Sequence, residues 1–246
     1  MISIIVCHRD KERLEKLEEN ISTTIGTSYE LIIIDNSNNQ YNIFQAYNLG
    51  VKQSMGDILC FAHEDILFHT KNWGKLVCDH FLDKTTGLIG TAGGNAFPKC
   101  PAPWWNNTIL NDHLVNNIKT WDTQPSYRDL KQPFKSNVIK AVAVDGYWMC
   151  IRKSLFEIIS FDENTFKGFH CYDTDICFQI LKAKHKIYVV YDILIEHLSK
   201  GSINLQWIES AEKLADKWNF FLPIFAKDID HKKLPLYNIK NLLTFC

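Results

Sequence analysis

Residues 56–66 read GDILCFAHEDI and combine a short apolar run with an abrupt polar end. The run from Ile58 to Ala62 has the length of a buried strand. The polar end carries His63, Glu64 and Asp65, and burying such charges without partners is costly. Because ligands of open α/β sheets bind outside the carboxyl ends of the strands, this end predicts a site for a cation, a polar ligand or both. A solvated acidic turn is the alternative that these residues alone leave open.

Two earlier segments repeat the arrangement of an apolar strand and a polar tip. A strand over residues 2–6 leads to His8 and Arg9, and a strand over residues 30–34 ends in polar residues from position 35 onward. Helical spacing of apolar residues separates the three strands, which favours a parallel, right-handed α/β sheet. Three polar tips then line one edge of that sheet, as in a ligand site. The glycine-rich loops of dehydrogenases and P-loop phosphotransferases are absent.

The length, composition and net charge of the chain limit the class of protein. The chain has 246 residues, of which 46% are hydrophobic and 22% charged, as in a globular protein with a full core. The net charge of −1 offers no field that attracts nucleic acid or an anionic membrane. No apolar run reaches the ~20 residues that span a bilayer, and the N-terminus lacks the features of a signal peptide. We therefore expect a cytoplasmic protein without a transmembrane segment.

The cysteines also indicate a cytoplasmic protein. The eight cysteines include no C-x-x-C pair, which argues against a structural zinc site. Several lie in apolar segments, where a free cysteine behaves as a small hydrophobic residue. We expect reduced thiols, as in cytosolic proteins, rather than the disulfides of a secreted protein.

An irregular insert is predicted over residues 96–137. Five prolines interrupt any regular pattern there, and long structured loops in compact domains are usually functional. The insert contains three tryptophans, Trp104, Trp105 and Trp121. They either stack on an acceptor sugar or pack against the core and hold the insert in place.

The rest of the chain continues the alternation of strands and helices. Residues 138–144 predict a strand that residues 147–151 continue after a kink at Gly146, and residues 186–195 predict another strand. Between them a helix begins with acidic residues, which are stable at a helix N-terminus. The final predicted helix turns four residues inward: Ile208, Ala211, Leu214 and Trp218.

With these segments in place, the chain resembles the family 2 glycosyltransferases, nucleotide-sugar-dependent enzymes of the GT-A fold. Residues 32–37 (IIIDNS) resemble the family's second strand, and residues 46–57 resemble its A-R-N-x-G…A-x-G-[DE] block. Residues 61–65 (FAHED) stand where the family has D-x-D, and residues 172–177 (YDTDIC) resemble the E-D-x-D-[LI] motif that supplies the catalytic base. The order and spacing of these motifs are specific for fold and reaction class, but not for sugar or acceptor.

Three further segments extend the resemblance to about residues 2–205. Residues 4–9 resemble the family's first strand, residues 145–149 its acceptor-side strand, and residues 196–202 its late H-x-x-x-G-S segment. The implied fold class is α/β, with a mixed, mostly parallel GT-A (Rossmann-like) sheet flanked by helices in a single domain. The implied GT-A domain covers residues 1–222 and a C-terminal extension covers residues 223–246. Within the domain, residues 1–95 form a nucleotide-binding half, residues 96–137 the acceptor-side insert, and residues 138–222 an acceptor and catalytic half.

The resemblance also implies roles for individual residues. Asp173 would be the general base, with Asp175 orienting the site or raising the pKa of its neighbour by repulsion. Asp65 and His197 would bind a divalent cation, Mn²⁺ or Mg²⁺, against the diphosphate of the donor. The residues implied to contact the nucleotide sugar are His8, Arg9, Asp35, Asn36, Asn48, His63, Glu64, Gly94 and Gly146.

Two positions depart from the family's motifs. His63 replaces the first aspartate of D-x-D, and its imidazole can bind a metal or a ribose hydroxyl but contributes no charge when neutral. We expect Asp65 to supply most of the metal affinity, and a purely structural His63 stays open. Tyr47 replaces the arginine beside Asn48, which removes one cation near the nucleotide.

The sequence therefore predicts an inverting glycosyltransferase. It would move a hexose from a nucleotide sugar, with a UDP-sugar as first choice, to a glycan or lipid-linked acceptor in cell-surface polysaccharide synthesis. One alternative is a non-catalytic module that binds a nucleotide sugar or glycan on the same fold. A nucleotidyltransferase is disfavoured, because residues 8–11 lack the glycines of its basic loop. Peripheral membrane association and oligomeric state stay open.

Overall fold

The structure is a computed structural model that describes residues 1–104, 114–116, 118–120, 137–198 and 203–226. Several predicted features lie outside the described residues: Trp105, Trp121, Gly201, Ser202 and most of the C-terminal extension, from residue 227 onward.

The first half of the fold alternates strands and helices as predicted. Its elements are β1 (Ile2–His8), α1 (Lys11–Thr24), β2 (Tyr29–Asp35), α2 (Ile43–Gln53), β3 (Ile58–Ala62), β4 (Ile66–Phe68), α3 (Trp73–His80), β5 (Thr86–Gly90), β6 (Ala92–Gly94) and β7 (Ala96–Phe97). Asp10 caps α1 by accepting hydrogen bonds from the backbone N–H groups of Glu12 and Arg13, and Asn42 caps α2 in a capping box with Gln45.

In the second half, the described residues form mostly short strands and two helices longer than ten residues. Its elements are β8 (Leu114–Asn116), β9 (Ile118–Thr120), β10 (Val138–Ala141), β11 (Ala143–Val144), β12 (Trp148–Arg152), a 3-10 helix (Lys153–Glu157), α4 (Tyr172–Lys182), β13 (Lys186–Val190), β14 (Ile195–His197), α5 (Leu205–Lys217) and β15 (Ile224–Phe225).

Seven of the described strands form the central sheet, in the order β10-β13-β5-β12-β3-β1-β2. The pairs β1–β2, β1–β3 and β5–β13 are parallel, whereas β12 is antiparallel to both of its neighbours and β10 is antiparallel to β13. Five strands therefore run in one direction, which confirms the predicted mixed, mostly parallel sheet. Helices cover both faces: α1 and α3 pack with one hydrophobic cluster, and α2, α4 and α5 with the other.

Two predicted strands were wrong in extent. Residues 138–144 divide into β10 in the central sheet and β11, which pairs with β6 in a small separate sheet. Residues 148–152 do not continue that strand but cross the middle of the central sheet as β12, between β3 and β5. The predicted strand over residues 186–195 likewise ends at Val190, before the separate strand β14.

The final helix faces the core with fewer residues than predicted. Ala211, Leu214 and Trp218 are buried, but Ile208 is 43% exposed, so its predicted inward position was wrong. None of the helices in the described part of the chain is long and apolar enough to cross a membrane.

Candidate metal centre and active site

The tips of β1 and β3 are tied together at the carboxyl edge of the sheet. The strands are parallel neighbours, with Val6 opposite Ala62. The carboxylate of Glu64 accepts hydrogen bonds from the backbone N–H groups of Arg9 (2.8 Å) and Asp10 (3.0 Å). Glu64 thereby joins the two polar tips and supports the first turn of α1.

Strand pairing brings Asp65 and His197 together although 132 positions separate them. In the antiparallel pair of β4 and β14, His197 lies opposite Ile66, the residue after Asp65. The N–H of Leu198 donates to the carbonyl oxygen of Asp65 at 2.9 Å. The Nε2 atom of His197 then lies 3.4 Å from Oδ1 of Asp65.

His63 completes a group of three residues that could hold a metal ion. Its Nδ1 lies 3.9 Å from Oδ1 of Asp65, and ligand atoms of His63, Asp65 and His197 all lie within 4.8 Å of one another. We call these three residues the metal group. Asp65 and His197 were predicted as metal ligands, whereas His63 was predicted to contact the nucleotide sugar.

The chemistry of the metal group fits a divalent cation. One carboxylate and two imidazoles are ligands that Mn²⁺ and later first-row metals accept. Burial lowers the pKa of His63 to about 4, and the neighbouring imidazole of His197 acts in the same direction. His63 is therefore neutral at pH 7, with a nitrogen lone pair available to a metal. Asp65 is only 5% exposed, so a bound cation would offset its buried negative charge.

Tyr172, the first residue of α4, connects the metal group to that helix. Its hydroxyl oxygen lies 2.7 Å from Nε2 of His63. A Cβ atom at Gly146 would lie 2.2 Å from that hydroxyl oxygen, so the ring of Tyr172 fits only because residue 146 is glycine. Tyr47 packs against Tyr172 and is fully buried, which places it in the core rather than at the nucleotide.

Two backbone N–H groups hold the carboxylate of Asp173, the residue that follows Tyr172. Gly146 donates to Oδ2 at 3.1 Å, and Thr174 donates to Oδ1 at 2.7 Å. Burial of the carboxyl group, together with the negative charge of Asp145, raises the pKa of Asp173 to about 7. A carboxylate with this pKa can accept a proton near neutral pH, as a general base must.

Asp145 is a candidate site residue that was not predicted from the sequence. Its Oδ1 accepts the N–H of Tyr147 at 3.1 Å, while the preceding N–H, that of Gly146, serves Asp173. Successive peptide groups thus hold the two carboxylates near each other, and burial raises the pKa of Asp145 as well. The available signal was an aspartate directly before a glycine at the end of a predicted strand.

The carboxylate of Asp175 is engaged by residues of α4 and the end of α5. It is 1% exposed, and its carboxylate accepts hydrogen bonds from Trp218 (2.8 Å) and Gln179 (2.7 Å) and pairs with Lys217 at 2.7 Å. These contacts anchor α4 to α5. The negative charge that raises the pKa of Asp173 is that of Asp145, whereas orienting the site or raising this pKa were the two roles predicted for Asp175.

Two asparagines that were predicted to contact the nucleotide form side-chain hydrogen bonds with backbone groups. Asn36 is fully buried and exchanges two 2.9 Å hydrogen bonds with the backbone of Tyr41. Asn48 donates to the carbonyl oxygen of Phe161 at 2.8 Å and accepts its N–H at 3.1 Å. Both side chains therefore shape the loops around the sheet edge, and their contact with a nucleotide stays a prediction.

His8, Arg9 and Asp35 stay at the open end of β1 and β2. The side chain of Asp35 is 63% exposed and lies 3.7 Å from Nε2 of His8. Nδ1 of His8 is buried without a hydrogen-bond partner in the described part of the chain. These groups stay candidates for contact with a nucleotide.

Gly94 has a steric role. A Cβ atom there would lie 2.9 Å from the carbonyl oxygen of Trp104, so glycine allows the start of the insert to pass close to β6. The side chain of Trp104 packs against the core, as one of its two predicted roles required.

Residues 3–217 match a protein family described as glycosyltransferase like. By sequence, the chain is 27% identical over 135 residues to the streptomycin biosynthesis protein StrF of Streptomyces griseus, which covers 53% of this chain and 43% of StrF. The fold resembles that of GalNAc-T7, solved with UDP, GalNAc and Mn²⁺, with a TM-score of 0.58 at 14% identity over 81% of this chain and 44% of that chain. It also resembles TarS 1-349 of S. aureus, with a TM-score of 0.51 at 12% identity over 80% of this chain and 60% of that chain.

The matched proteins are longer than this chain, and the two solved structures share little sequence identity with it. The chain spans less than half the length of StrF and of the GalNAc-T7 chain. The likeness to the two solved structures confirms the predicted GT-A fold, and at these identities it shows the fold alone.

Proposed function

We propose, since this chain belongs to the glycosyltransferase-like family that matches its residues 3–217, that it is an inverting hexosyltransferase. The observation that carries the proposal is the connection between the metal group and the base. The hydroxyl of Tyr172 is hydrogen-bonded to His63 of the metal group, and the next residue of the chain is Asp173. This connection supports the proposal that a site for the donor diphosphate and a base for the acceptor hydroxyl lie at one edge of the sheet.

The donor side of the proposed site consists of the metal group and the open tips of β1 and β2. His63, Asp65 and His197 would hold a divalent cation, which when bound offsets the negative charge of a nucleoside diphosphate. Two imidazoles in a set of three ligands favour Mn²⁺ over Mg²⁺, since Mg²⁺ prefers oxygen. Asp35 and His8 would contact the nucleoside. UDP-sugars are the first donors to test, because the structure of GalNAc-T7 contains UDP.

The acceptor side consists of Asp173 and its support. In the proposed reaction, Asp173 takes the proton of an acceptor hydroxyl while that oxygen attacks the anomeric carbon of the sugar. The bond between this carbon and the diphosphate oxygen breaks, and the nucleoside diphosphate leaves. A single displacement by one base inverts the anomeric centre. Asp145 assists by keeping the pKa of Asp173 near neutral pH.

The proposal also includes an acceptor class and a cellular compartment. The acceptor would be a glycan or a lipid-linked sugar in cell-surface polysaccharide synthesis, with Trp104 at the border of the acceptor region. The cytoplasm is the proposed compartment, since it keeps thiols reduced and all seven cysteines in the described residues are free.

A two-stage experiment tests the proposal. A thermal-shift panel of UDP-, GDP-, dTDP- and CMP-sugars, with and without Mn²⁺, should identify a donor that raises the melting temperature only with the metal. The same donor is then assayed for transfer and hydrolysis. Asp173→Asn should lower kcat by about 10²- to 10⁴-fold with unchanged donor affinity.

Asp57→Asn is the matched control. It removes a carboxylate that is 93% exposed, at the opposite end of β3, and should keep full activity. Donor binding by the wild type without any turnover would support the non-catalytic module instead. Full turnover of Asp173→Asn would remove Asp173 as the base.

A further inference from the structure

Tyr172 is held rigidly in the core beside the metal group. It is 6% exposed, and its ring packs edge-on against Phe44 and Tyr47. Gly146 lies directly beneath its hydroxyl group. The position of the hydroxyl oxygen is thus set by packing on several sides and leaves it 2.7 Å from Nε2 of His63.

The contact with Tyr172 decides which nitrogen of His63 faces the metal group. Nε2 is engaged by the hydroxyl, and Nδ1 lies 3.9 Å from Oδ1 of Asp65. Turning the imidazole over would break the first contact and remove Nδ1 from the second. A histidine that binds a metal through one nitrogen is oriented by a hydrogen bond at the other.

We propose that Tyr172 is a positioning residue for metal binding. Its hydroxyl oxygen accepts the Nε2–H of His63 and so fixes the tautomer in which the Nδ1 lone pair is directed at Asp65 and His197. This inference rests on the proposed function only in taking the metal group as the cation site.

The same residue links the metal group to the base. Tyr172 precedes Asp173 in α4, and its ring lies on Gly146, whose N–H holds the Asp173 carboxylate. The metal group and the base are therefore oriented by one rigid side chain. Removal of the hydroxyl alone should release His63 and leave the Asp173 hydrogen bonds in place.

Titration of the purified protein with Mn²⁺, followed by the electron paramagnetic resonance signal of the free ion, tests the inference without donor or acceptor. Tyr172→Phe should bind Mn²⁺ about 10- to 100-fold more weakly than the wild type. Tyr191→Phe is the matched control, because it also removes one tyrosine hydroxyl, which is buried without a hydrogen-bond partner among the described residues. This control should keep the wild-type affinity. Wild-type affinity in Tyr172→Phe would overturn the inference.

A second measurement uses the wild type and does not depend on the folding of a variant. Nitrogen-15 NMR of the metal-free protein should show His63 with its proton on Nε2, and a proton on Nδ1 would contradict the inference. The two proposals can fail separately. A protein that binds Mn²⁺ in the predicted way but transfers no sugar would refute the proposed function and leave the role of Tyr172 standing.

Discussion

Replacing Asp173 by asparagine should change the pH dependence of stability as well as activity. The pKa of Asp173 rises from 3.8 to about 7 on folding, so the folded protein keeps a proton that the unfolded chain has already released. Stability must then fall as the pH rises through this interval, because the unfolded state binds fewer protons. The asparagine variant lacks this titration and should gain stability relative to the wild type as the pH rises.

The size of the effect follows from the interval between pH 5 and pH 8. About two pKa units of the shift fall within it, and each unit is worth about 1.4 kcal/mol. Partial exposure of the carboxyl group lowers this sum, so the expected gain is about 2 kcal/mol. Urea unfolding of both proteins at the two pH values, in EDTA, measures the difference. Equal differences at pH 5 and pH 8 would refute the raised pKa and with it the assignment of Asp173 as a base at neutral pH.

Three further substitutions test the support of the site. Asp145→Asn removes the neighbouring negative charge and should shift the acidic limb of the kcat/KM–pH profile to lower pH; an unmoved limb would show that Asp145 does not tune Asp173. Gly146→Ala places a methyl group 2.2 Å from the hydroxyl oxygen of Tyr172 and should cost about 1–3 kcal/mol in urea unfolding, whereas a neutral effect would mean that the ring is free to move. Lys217→Met removes the cation 2.7 Å from each of two carboxylates and should cost about 3–5 kcal/mol, and no loss of stability would contradict an anchoring role.

The elements of the first half could be predicted because local signals agree there. Apolar runs of strand length end in polar residues, and Asp10 and Asn42 occupy helix caps that their side chains satisfy. The meeting of Asp65 with His197 was also within reach, since motif order implied a shared edge. Whether that edge binds the predicted nucleotide stays a prediction.

Long-range contacts explain both the wrongly predicted strands and the candidate site residue, Asp145, that was not predicted. Contacts between distant parts of the chain set the strand pairing and the position of Asp145, and local sequence patterns do not show them. Residues 148–152 have the same apolar character whether they extend β11 or cross between β3 and β5, so the sequence pattern could not show the antiparallel β12. The proximity of Asp145 to Asp173 depends on the turn at Gly146 meeting the start of α4.

A motif does not show the contacts that its residues make. His63 replaces the first aspartate of D-x-D and contacts Tyr172, the residue before the proposed base, at 2.7 Å. Conversely, Asn36 and Asn48 match their motifs, but backbone groups occupy their amides. Side-chain hydrogen bonding of this kind is fixed only once the loops are placed.

A crystal structure with Mn²⁺ and the donor nucleotide, with data collected at the manganese absorption edge, tests the central claim most directly. The anomalous signal should lie between His63, Asp65 and His197, with the diphosphate beside it and Asp173 facing the same cleft. A manganese signal elsewhere, or a nucleotide bound on a face that Asp173 does not reach, would contradict the shared site.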